Sequence, residues 1–265
     1  MTKGYMTFAI NNDTIDYIKL AYLQALSIKQ TQTINSYAVV VKDRNKIDSK
    51  YLKVFDHIIE LPNTQSKFDH EQYAFRLSPF KETVKVEADI LFTSNIDHWW
   101  QCYTNDVVVT RQVLTYWNSK YTDRSQRKLF DDNQLPDVYS GWIYFRYSKQ
   151  AADFFQLIQS IYQNWAWFRD HYLKNCRYEQ PITDEVYAIA CKITGEERCT
   201  MPNSIPTFVH MKAAGQNLHE NKPWYEQLYV QKDQTNLTVG FIKQWAPLHY
   251  CNKDFADTWI EQYER

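Results

Sequence analysis

The sequence is poor in the residues that build disulfide frameworks and membrane spans. Its five cysteines are an odd number and form no C-x-x-C pair, which argues against a disulfide framework or a zinc knuckle and favours a reduced, cytoplasmic setting. No window approaches about 18 uninterrupted apolar residues, so we expect no membrane span. The opening MTKGYMTFAINND has no basic stretch followed by a long apolar run, so we expect no signal peptide.

The chain also lacks an excess of either charge and lacks linker-like stretches. It has 30 basic and 31 acidic residues, a formal net charge of −1, so any contact with nucleic acid must come from a local basic segment. It contains only 5 glycines among 265 residues, and no Pro/Gly/Ser-rich stretch divides it. We therefore expect one continuous domain over residues 1–265, long enough to bury a sizeable core.

What the sequence does have is a series of apolar runs alternating with helical patterns. Such spacing predicts an α/β fold whose mostly parallel, twisted sheet is covered by helices on both faces. The predicted strands span 4–10, 36–42, 57–61, 82–92, 106–110 and 141–147. The predicted helices span about 13–29, with Asn12 or Asp13 as N-cap, then 71–77, a segment around 151–162, and 183–193, with Thr183 as N-cap.

Two acids interrupt the fourth predicted strand in SPFKETVKVEADILFTSNIDHWW. Residues i and i+2 of a strand point to the same side, so Glu87 and Asp89 are expected to face the carboxyl end of the sheet together. Such close carboxylates repel each other unless a cation lies between them, and oxygen ligands suit Mg²⁺ or Mn²⁺. The alternative is a strand end with two solvated acids.

His210, at the end of the apolar run IPTFVHMK, is the candidate third metal ligand, with a purely structural histidine as the alternative. The other histidines are expected to be structural or solvent-facing: His57, His70, His98, His171, His219 and His249. The tryptophans of DHWW are expected to pack in the core.

The segment YAFRLSPFKETVKVEADILFTSNIDHWW resembles the glycosyltransferases of the GT-A fold, with a layout close to family 8, the glycogenin and galactosyltransferase type. The resemblance covers most of the chain. It implies that Arg76 and Lys81 lie near a sugar donor and that Glu87 and Asp89 are the metal carboxylates. It also implies a Rossmann-like, nucleotide-sugar-binding half over 1–110 and an acceptor-binding, closing half over 111–265.

Later segments follow the same family order. PITDEVYAIA resembles the acidic helix start that faces the anomeric carbon, which implies a catalytic Asp184; the alternative is an acid that interacts with the helix dipole. HMKAAGQNLHENKPW resembles the closing H-x-x-G-x-x-K-P-W segment, which implies His210 as third metal ligand and Lys222 on the diphosphate. This sequence departs from the family in three ways: Glu87 replaces Asp, Tyr139 replaces Asn, and the His-to-Lys spacing is longer.

The first strand and helix are expected to hold the nucleotide. Asn11 and Tyr17 are the candidates for contacts with base and ribose; the alternative is an ordinary β–α turn and a packed tyrosine. The implied reaction is metal-dependent transfer of a sugar from a nucleoside diphosphate sugar, a UDP-sugar, to a hydroxyl group. The family resemblance further implies retention of the anomeric configuration.

The opening segment and RKLFDDNQLPDVYSGWIYFRYSK also resemble glycosyltransferases of tailed bacteriophages. This resemblance implies double-stranded DNA with hydroxymethylated pyrimidines as acceptor, and host cytoplasm as location. A basic segment could contact such DNA, with a merely solvated face as the alternative; its cations are Arg111, Lys120, Arg124, Arg127 and Lys128. Two other functions remain open: the same chemistry on a polysaccharide, lipid or protein, and a non-catalytic nucleotide-sugar or DNA-binding module.

Overall fold

The computed structural model describes residues 2–62, 69–202, 205–233 and 236–265, which form a sheet flanked by helices. The strands are β1 Lys3–Phe8, β2 Tyr37–Val41, β3 His57–Glu60, β4 Glu82–Val86, β5 Ile90–Leu91, β6 Val107–Thr110, β7 Tyr139–Arg146, β8 Val209–His210, β9 Val230–Lys232, β10 Leu237–Val239, β11 Ile242–Lys243 and β12 Leu248–His249. The α-helices are α1 Tyr17–Thr31, α2 Ser49–Leu52, α3 Ala74–Leu77, α4 Trp99–Cys102, α5 Lys128–Asn133, α6 Lys149–Gln163, α7 Trp165–Tyr172, α8 Thr183–Thr194, α9 Glu196–Cys199, α10 Trp224–Gln227 and α11 Phe255–Glu264.

The large sheet has the strand order β3-β2-β1-β4-β7-β6. β3, β2, β1 and β4 are parallel, and β7 lies antiparallel between β4 and β6. Strands β2 and β6 are buried along their whole length, as expected for a sheet covered on both faces. One core packs α1 and α11 against one face, and a second core packs α6 and α8 against the other. This architecture confirms the predicted fold class.

The predicted order of elements is confirmed, but the start of α1 and the N-caps of α1 and α8 are wrong. α1 begins at Tyr17 and its N-cap is Asp16, whose Oδ1 accepts the backbone N–H of Lys19 at 3.1 Å. Asn12 instead accepts the N–H groups of Thr14 and Ile15, which closes the preceding turn. α8 begins at Thr183 itself, so Ile182 occupies the N-cap position.

The fourth predicted strand is also wrong in its second half. β4 ends at Val86, a turn follows, and Ile90–Leu91 then join a different, three-stranded sheet of order β5-β12-β8. Trp99 and Trp100 are buried, as predicted. The small sheet is what positions the site, because it joins the end of β4 to two segments more than a hundred residues later in the chain.

The proposed division at residue 110 stays a prediction. β7 comes from the second half yet pairs with β4 and β6 of the first, so the two halves share one sheet. Among the described residues, no helix is both long and apolar enough to span a membrane.

Candidate active site

Glu87 and Asp89 lie in the turn that follows β4, at the carboxyl end of the sheet. The backbone N–H of Ile90 donates to the carbonyl of Glu87 at 3.1 Å, which closes the turn. The i, i+2 strand geometry expected for the two acids is therefore wrong. They nevertheless converge, because Glu87 Oε2 lies 3.3 Å and Asp89 Oδ2 2.9 Å from the same imidazole nitrogen, Nε2 of His249.

His249 is the residue that the sequence analysis missed, since it was assigned to the structural histidines. The short strand β12 pairs in parallel with β8 and antiparallel with β5, which places His249 opposite His210 and Ile90. Its ring lies between the acids on the Nε2 side and His210 on the Nδ1 side. The sequence offered one signal, a histidine after the apolar PL with Lys253 four residues later, but strands of two residues leave no periodic pattern.

His210, the predicted third ligand, lies beside His249, and His249 is the histidine that contacts the acids. Its Nδ1 is 3.0 Å from Nδ1 of His249, and the imidazole in the described three-residue cluster with Glu87 and Asp89 is that of His249. Burial, with the adjacent charge of His249, lowers the pKa of His210 well below its usual value. A neutral His210 therefore accepts the Nδ1–H of His249, which leaves His249 Nε2 directed at the carboxylates.

A second cation, Lys253, completes the charge balance. Its ammonium group donates to Asp89 Oδ2. Burial alone would raise the pKa of Asp89, but the positive charges of His249 and Lys253 lower it far below its usual range. Burial also opposes the charged form of His249, yet the acids outweigh it and raise the pKa of this imidazole. Two acids and two cations thus form one compact, nearly neutral group.

These side chains fit a divalent metal ion. The ligand atoms of Glu87, Asp89 and His249 all lie within 4.8 Å of one another. Two carboxylates and one imidazole form the oxygen-rich donor set that suits Mg²⁺ and Mn²⁺. The described residues therefore include a cluster that could hold a metal ion, and its imidazole is that of His249 and not of His210.

Asp184 lies in the first turn of α8, as predicted, and its carboxylate is held from two sides. Oδ1 accepts the backbone N–H of Ser140 at 2.8 Å and its hydroxyl at 2.6 Å, while Oδ2 pairs with Arg127 at 2.9 Å. The Arg127 guanidinium stacks 3.8 Å from the ring centre of Tyr139. These contacts give Asp184 more fixed partners than a dipole-compensating surface acid requires.

Gly141, the residue after Tyr139 and Ser140, lies close to Glu87 and Phe208. A Cβ at Gly141 would lie 3.3 Å from Glu87 Oε2 and 3.1 Å from the ring of Phe208. Its carbonyl also accepts the backbone N–H of Glu87 at 3.0 Å. The end of β4 and the start of β7 are therefore held close together, and a side chain at Gly141 would have to displace Phe208 or Glu87 slightly.

Of the two predicted nucleotide contacts, Tyr17 lies at the site, whereas the side chain of Asn11 is bonded within the β1–α1 loop. The side chain of Asn11 joins the end of the β1–α1 loop, since its Oδ1 accepts the N–H of Ile18 and its Nδ2 donates to Asp16. Tyr17 lies at the site, because Lys253 Nζ is 6.0 Å from the centre of its ring. Their contacts with base and ribose stay predictions.

Among the described residues, the other predicted donor contacts form no ion pair with the carboxylates of Glu87 and Asp89, and their contacts with a donor stay predictions. Lys81 precedes β4, whereas Glu87 follows it, so the length of the strand, roughly 17 Å, separates them. Arg76 is exposed on α3, and Lys222 is exposed before α10. None of the three is among the described residues that line the cavity. The cation that the structure brings to the acids is Lys253.

The basic segment is largely paired with acids of the same chain. Arg124 binds Asp131 and Asp137, and Arg111 binds Glu196 at 2.9 Å. Arg127 is buried, so it is not available to track a DNA backbone as proposed from the sequence. Two further cations of the segment are exposed on the surface: Lys120 and Lys128.

A cavity of about 1000 Å³ adjoins Glu87, His249 and Asp184. Aromatic rings form part of its wall, among them Tyr121, Tyr139, Phe208 and Tyr178, and cations line it at Arg127, Arg177 and Lys212. Its size is at the upper end of small-molecule sites. The cavity therefore has room for a bulky ligand with a polar end at the acids and apolar surface around it.

The mixed sheet, the acids after β4 and the cavity beside them define a GT-A glycosyltransferase fold. The solved structure of the galactosyltransferase LgtC, in complex with donor and acceptor sugar analogs, matches with a TM-score of 0.57 at 12% identity, over 98% of this chain and 95% of that chain. At this identity the likeness establishes the fold alone.

Two other solved glycosyltransferases are similar at lower scores. The glycosyltransferase GlyE of Streptococcus pneumoniae TIGR4 matches with a TM-score of 0.48 at 9% identity, over 76% of this chain and 46% of that chain, so this chain spans about half of GlyE. Mouse xyloside xylosyltransferase 1 matches with a TM-score of 0.46 at 10% identity, over 74% of this chain and 83% of that chain. No protein-family model and no curated protein matches the sequence.

Proposed function

We propose that this protein is a metal-dependent glycosyltransferase that moves a sugar from a nucleoside diphosphate sugar to a hydroxyl group. The observation that carries the proposal is the convergence of Glu87, Asp89 and His249 beside a cavity of about 1000 Å³ on a GT-A fold. The proposed ion is Mn²⁺ or Mg²⁺, and the proposed donor is a UDP-sugar.

The proposed roles of the cluster follow from its charges. Glu87, Asp89 and Nε2 of His249 would hold the ion, which would supply Lewis-acid stabilisation of the leaving diphosphate. Lys253 already lies against Asp89, so its ammonium group can turn to a diphosphate oxygen once the carboxylate has another cation. His210 accepts the Nδ1–H of His249 and so keeps the ligand nitrogen directed at the acids.

Asp184 is proposed to act on the sugar. Breaking the glycosidic bond leaves positive charge at the anomeric carbon, and a fixed carboxylate beside it stabilises that charge. Ser140 and Arg127 hold the Asp184 carboxylate at the cavity wall. Retention of the anomeric configuration is part of the proposal and rests on the family resemblance.

The proposed acceptor is the hydroxymethyl group of a modified pyrimidine in double-stranded DNA. This part rests on the resemblance to phage enzymes and on a cavity large enough for an extruded base with a sugar beside it. Arg177 and Lys212 line the same cavity and would face phosphates near its mouth. A polysaccharide, lipid or protein hydroxyl is the alternative acceptor, because much of the predicted basic segment is ion-paired.

The test is an incubation of the protein with a panel of UDP-sugars, Mn²⁺ and either hydroxymethylated DNA, unmodified DNA or simple glycans. Release of UDP reports donor cleavage, and mass analysis of nucleosides or glycans reports the acceptor. We expect UDP release that chelation with EDTA abolishes, and a mass gain of one sugar on hydroxymethylated DNA.

Two matched variants compare an acid of the proposed site with an acid of the protein surface. Asp89→Asn should abolish UDP release, whereas Asp153→Asn, which removes an exposed acid paired with Lys149 on α6, should leave it unchanged. A mass gain on glycans alone would show that the acceptor is a glycan and not DNA. Absence of UDP release with every donor, or release unaffected by Asp89→Asn, would overturn the proposed chemistry.

A further inference from the structure

A cluster of nitrogen and sulfur atoms lies on the far side of His249 from the acids. His210 Nδ1 is 3.0 Å from His249 Nδ1, and Cys251 Sγ is 3.9 Å from His210 Nδ1. One ligand atom from each of the three side chains lies within 4.8 Å of the other two. The function proposed above uses the Nε2 side of His249 and leaves the sulfur atom without a role.

The fold holds these three side chains together from two segments. Parallel pairing of β8 and β12 sets His210 beside His249. Cys251 follows β12 with a φ of 59°, the left-handed region that residues other than glycine and asparagine seldom adopt. The neighbouring N–H of Tyr250 donates to the carbonyl of Asp89 at 3.1 Å, which fixes the backbone before this residue.

We propose that His210, His249 and Cys251 form a binding site for Zn²⁺ or a similarly soft divalent ion. Zn²⁺ binds nitrogen at about 2.0 Å and sulfur at about 2.3 Å, so a tetrahedral site has nitrogen–nitrogen edges of about 3.3 Å and nitrogen–sulfur edges of about 3.6 Å. The observed separations, 3.0 and 3.9 Å, lie close to these edges. A water molecule from the adjoining cavity, which His210 and His249 line, would complete four ligands.

Sharing of His249 makes the two metal sites alternatives. A neutral imidazole has one nitrogen lone pair, so Nδ1 can bind Zn²⁺ only while Nε2 carries the proton and donates to Asp89. Binding releases the Nδ1 proton and the thiol proton to solvent. The ligand softness of the two sides also differs, since imidazole and thiolate favour Zn²⁺ whereas carboxylates favour Mg²⁺ and Mn²⁺.

Because the two metal sites cannot use His249 together, Zn²⁺ binding should affect the sugar transfer; this inference rests on the proposed function. With Zn²⁺ on Nδ1, His249 no longer offers a lone pair to an ion at Glu87 and Asp89. Zn²⁺ at the nitrogen–sulfur site would therefore inhibit a transfer that depends on Mg²⁺ or Mn²⁺.

The test is titration of the full chain with Co²⁺, which takes zinc sites and shows a thiolate-to-metal charge-transfer band in the near ultraviolet. We expect the band to saturate at one equivalent of Co²⁺ and to disappear on addition of Zn²⁺. Cys251→Ser should abolish it, and His210→Gln should weaken Co²⁺ binding by at least about a hundredfold, since even partners outside the ligand shell change metal affinity by 10–100-fold.

Two controls keep the result specific. Cys102→Ser changes a half-buried thiol on α4 and should leave the band intact. Glu87→Gln changes the other side of His249 and should also leave it intact. Absence of the band in the wild-type protein, or its survival in Cys251→Ser, would overturn the nitrogen–sulfur site. The spectrum requires no sugar transfer, so it decides this proposal whether or not the glycosyltransferase reaction is found.

Discussion

Two charged regions stand out in the sequence, and the fold treats them in opposite ways. The acids at Glu87 and Asp89 meet His249 and Lys253 beside a cavity that Glu87 and His249 line. The basic segment from Arg111 to Lys128 lies at the surface except for the buried Arg127, and its arginines are used in ion pairs. Both regions have ion-pair partners within the chain, so what distinguishes the acids is that two acids and two cations gather beside a cavity.

The largest expected effect comes from breaking the acid region. Asp89→Asn keeps the shape of the side chain but removes a buried charge that His249 and Lys253 share. We expect the kcat for UDP release to fall by at least about a hundredfold, because a metal ligand and its charge are lost. Arg124→Gln, in the basic region, should change kcat less than about twofold. Equal falls in kcat in both variants would mean that the acid region matters no more to the reaction than the basic segment.

The next effect separates the two histidines. His249→Ala removes the metal ligand proposed from the structure and should weaken Mn²⁺ binding at least about a hundredfold, whereas His210→Ala removes only the acceptor of the His249 Nδ1–H and should weaken it about tenfold. Mn²⁺ affinity can be measured by electron paramagnetic resonance of the free ion. The reverse order of effects would restore His210 as the direct ligand.

Arg127 belongs to both regions, because it is part of the basic segment in the sequence and lines the cavity in the structure. Arg127→Gln leaves Asp184 without its ion pair and Tyr139 without its stacking partner. We expect a loss of about 2 kcal/mol in the free energy of unfolding, since a charge-assisted hydrogen bond to the partly exposed Asp184 is lost, and about a tenfold fall in kcat as Asp184 loses its position. Arg127→Lys should restore part of the stability. An unchanged kcat in Arg127→Gln would mean that the position of Asp184 does not affect the reaction.

The smallest effect concerns DNA itself. Lys120 and Lys128 are exposed, so the double change Lys120→Gln/Lys128→Gln should lower the salt dependence of DNA binding by about two units of slope, since each phosphate contact contributes about one. Arg111→Gln/Arg124→Gln is the matched control, because these cations already pair with acids. Binding isotherms at several salt concentrations give both slopes. Equal slopes in the two variants would remove the contrast between paired and exposed cations.

The sequence predicts the order of elements well because the strands are continuous apolar runs. β2 and β6 are buried throughout, so their composition alone marks them. The break after β4 was not predicted, since the apolar residues after Asp89 continue the same pattern although they join another sheet. Local pattern therefore located the acids correctly but gave the wrong geometry for them.

The missed features of the site all depend on pairing between distant segments. His249 reaches the acids only because β12 lies between β5 and β8, and a strand of two residues carries no periodic signal. The same limit applies to Arg127, whose partner Asp184 lies on α8. Residue type and local spacing predict which groups could act, whereas tertiary pairing decides which of them meet.

The proposed reaction requires that Glu87, Asp89 and His249 together hold a divalent ion. A crystal structure with Mn²⁺ and UDP, recorded at the manganese absorption edge, tests it most directly. We predict one anomalous peak bound to both carboxylates and to Nε2 of His249, with the UDP diphosphate on the same ion. Ordered UDP without a peak at these three side chains, or with the peak at another place, would contradict the account.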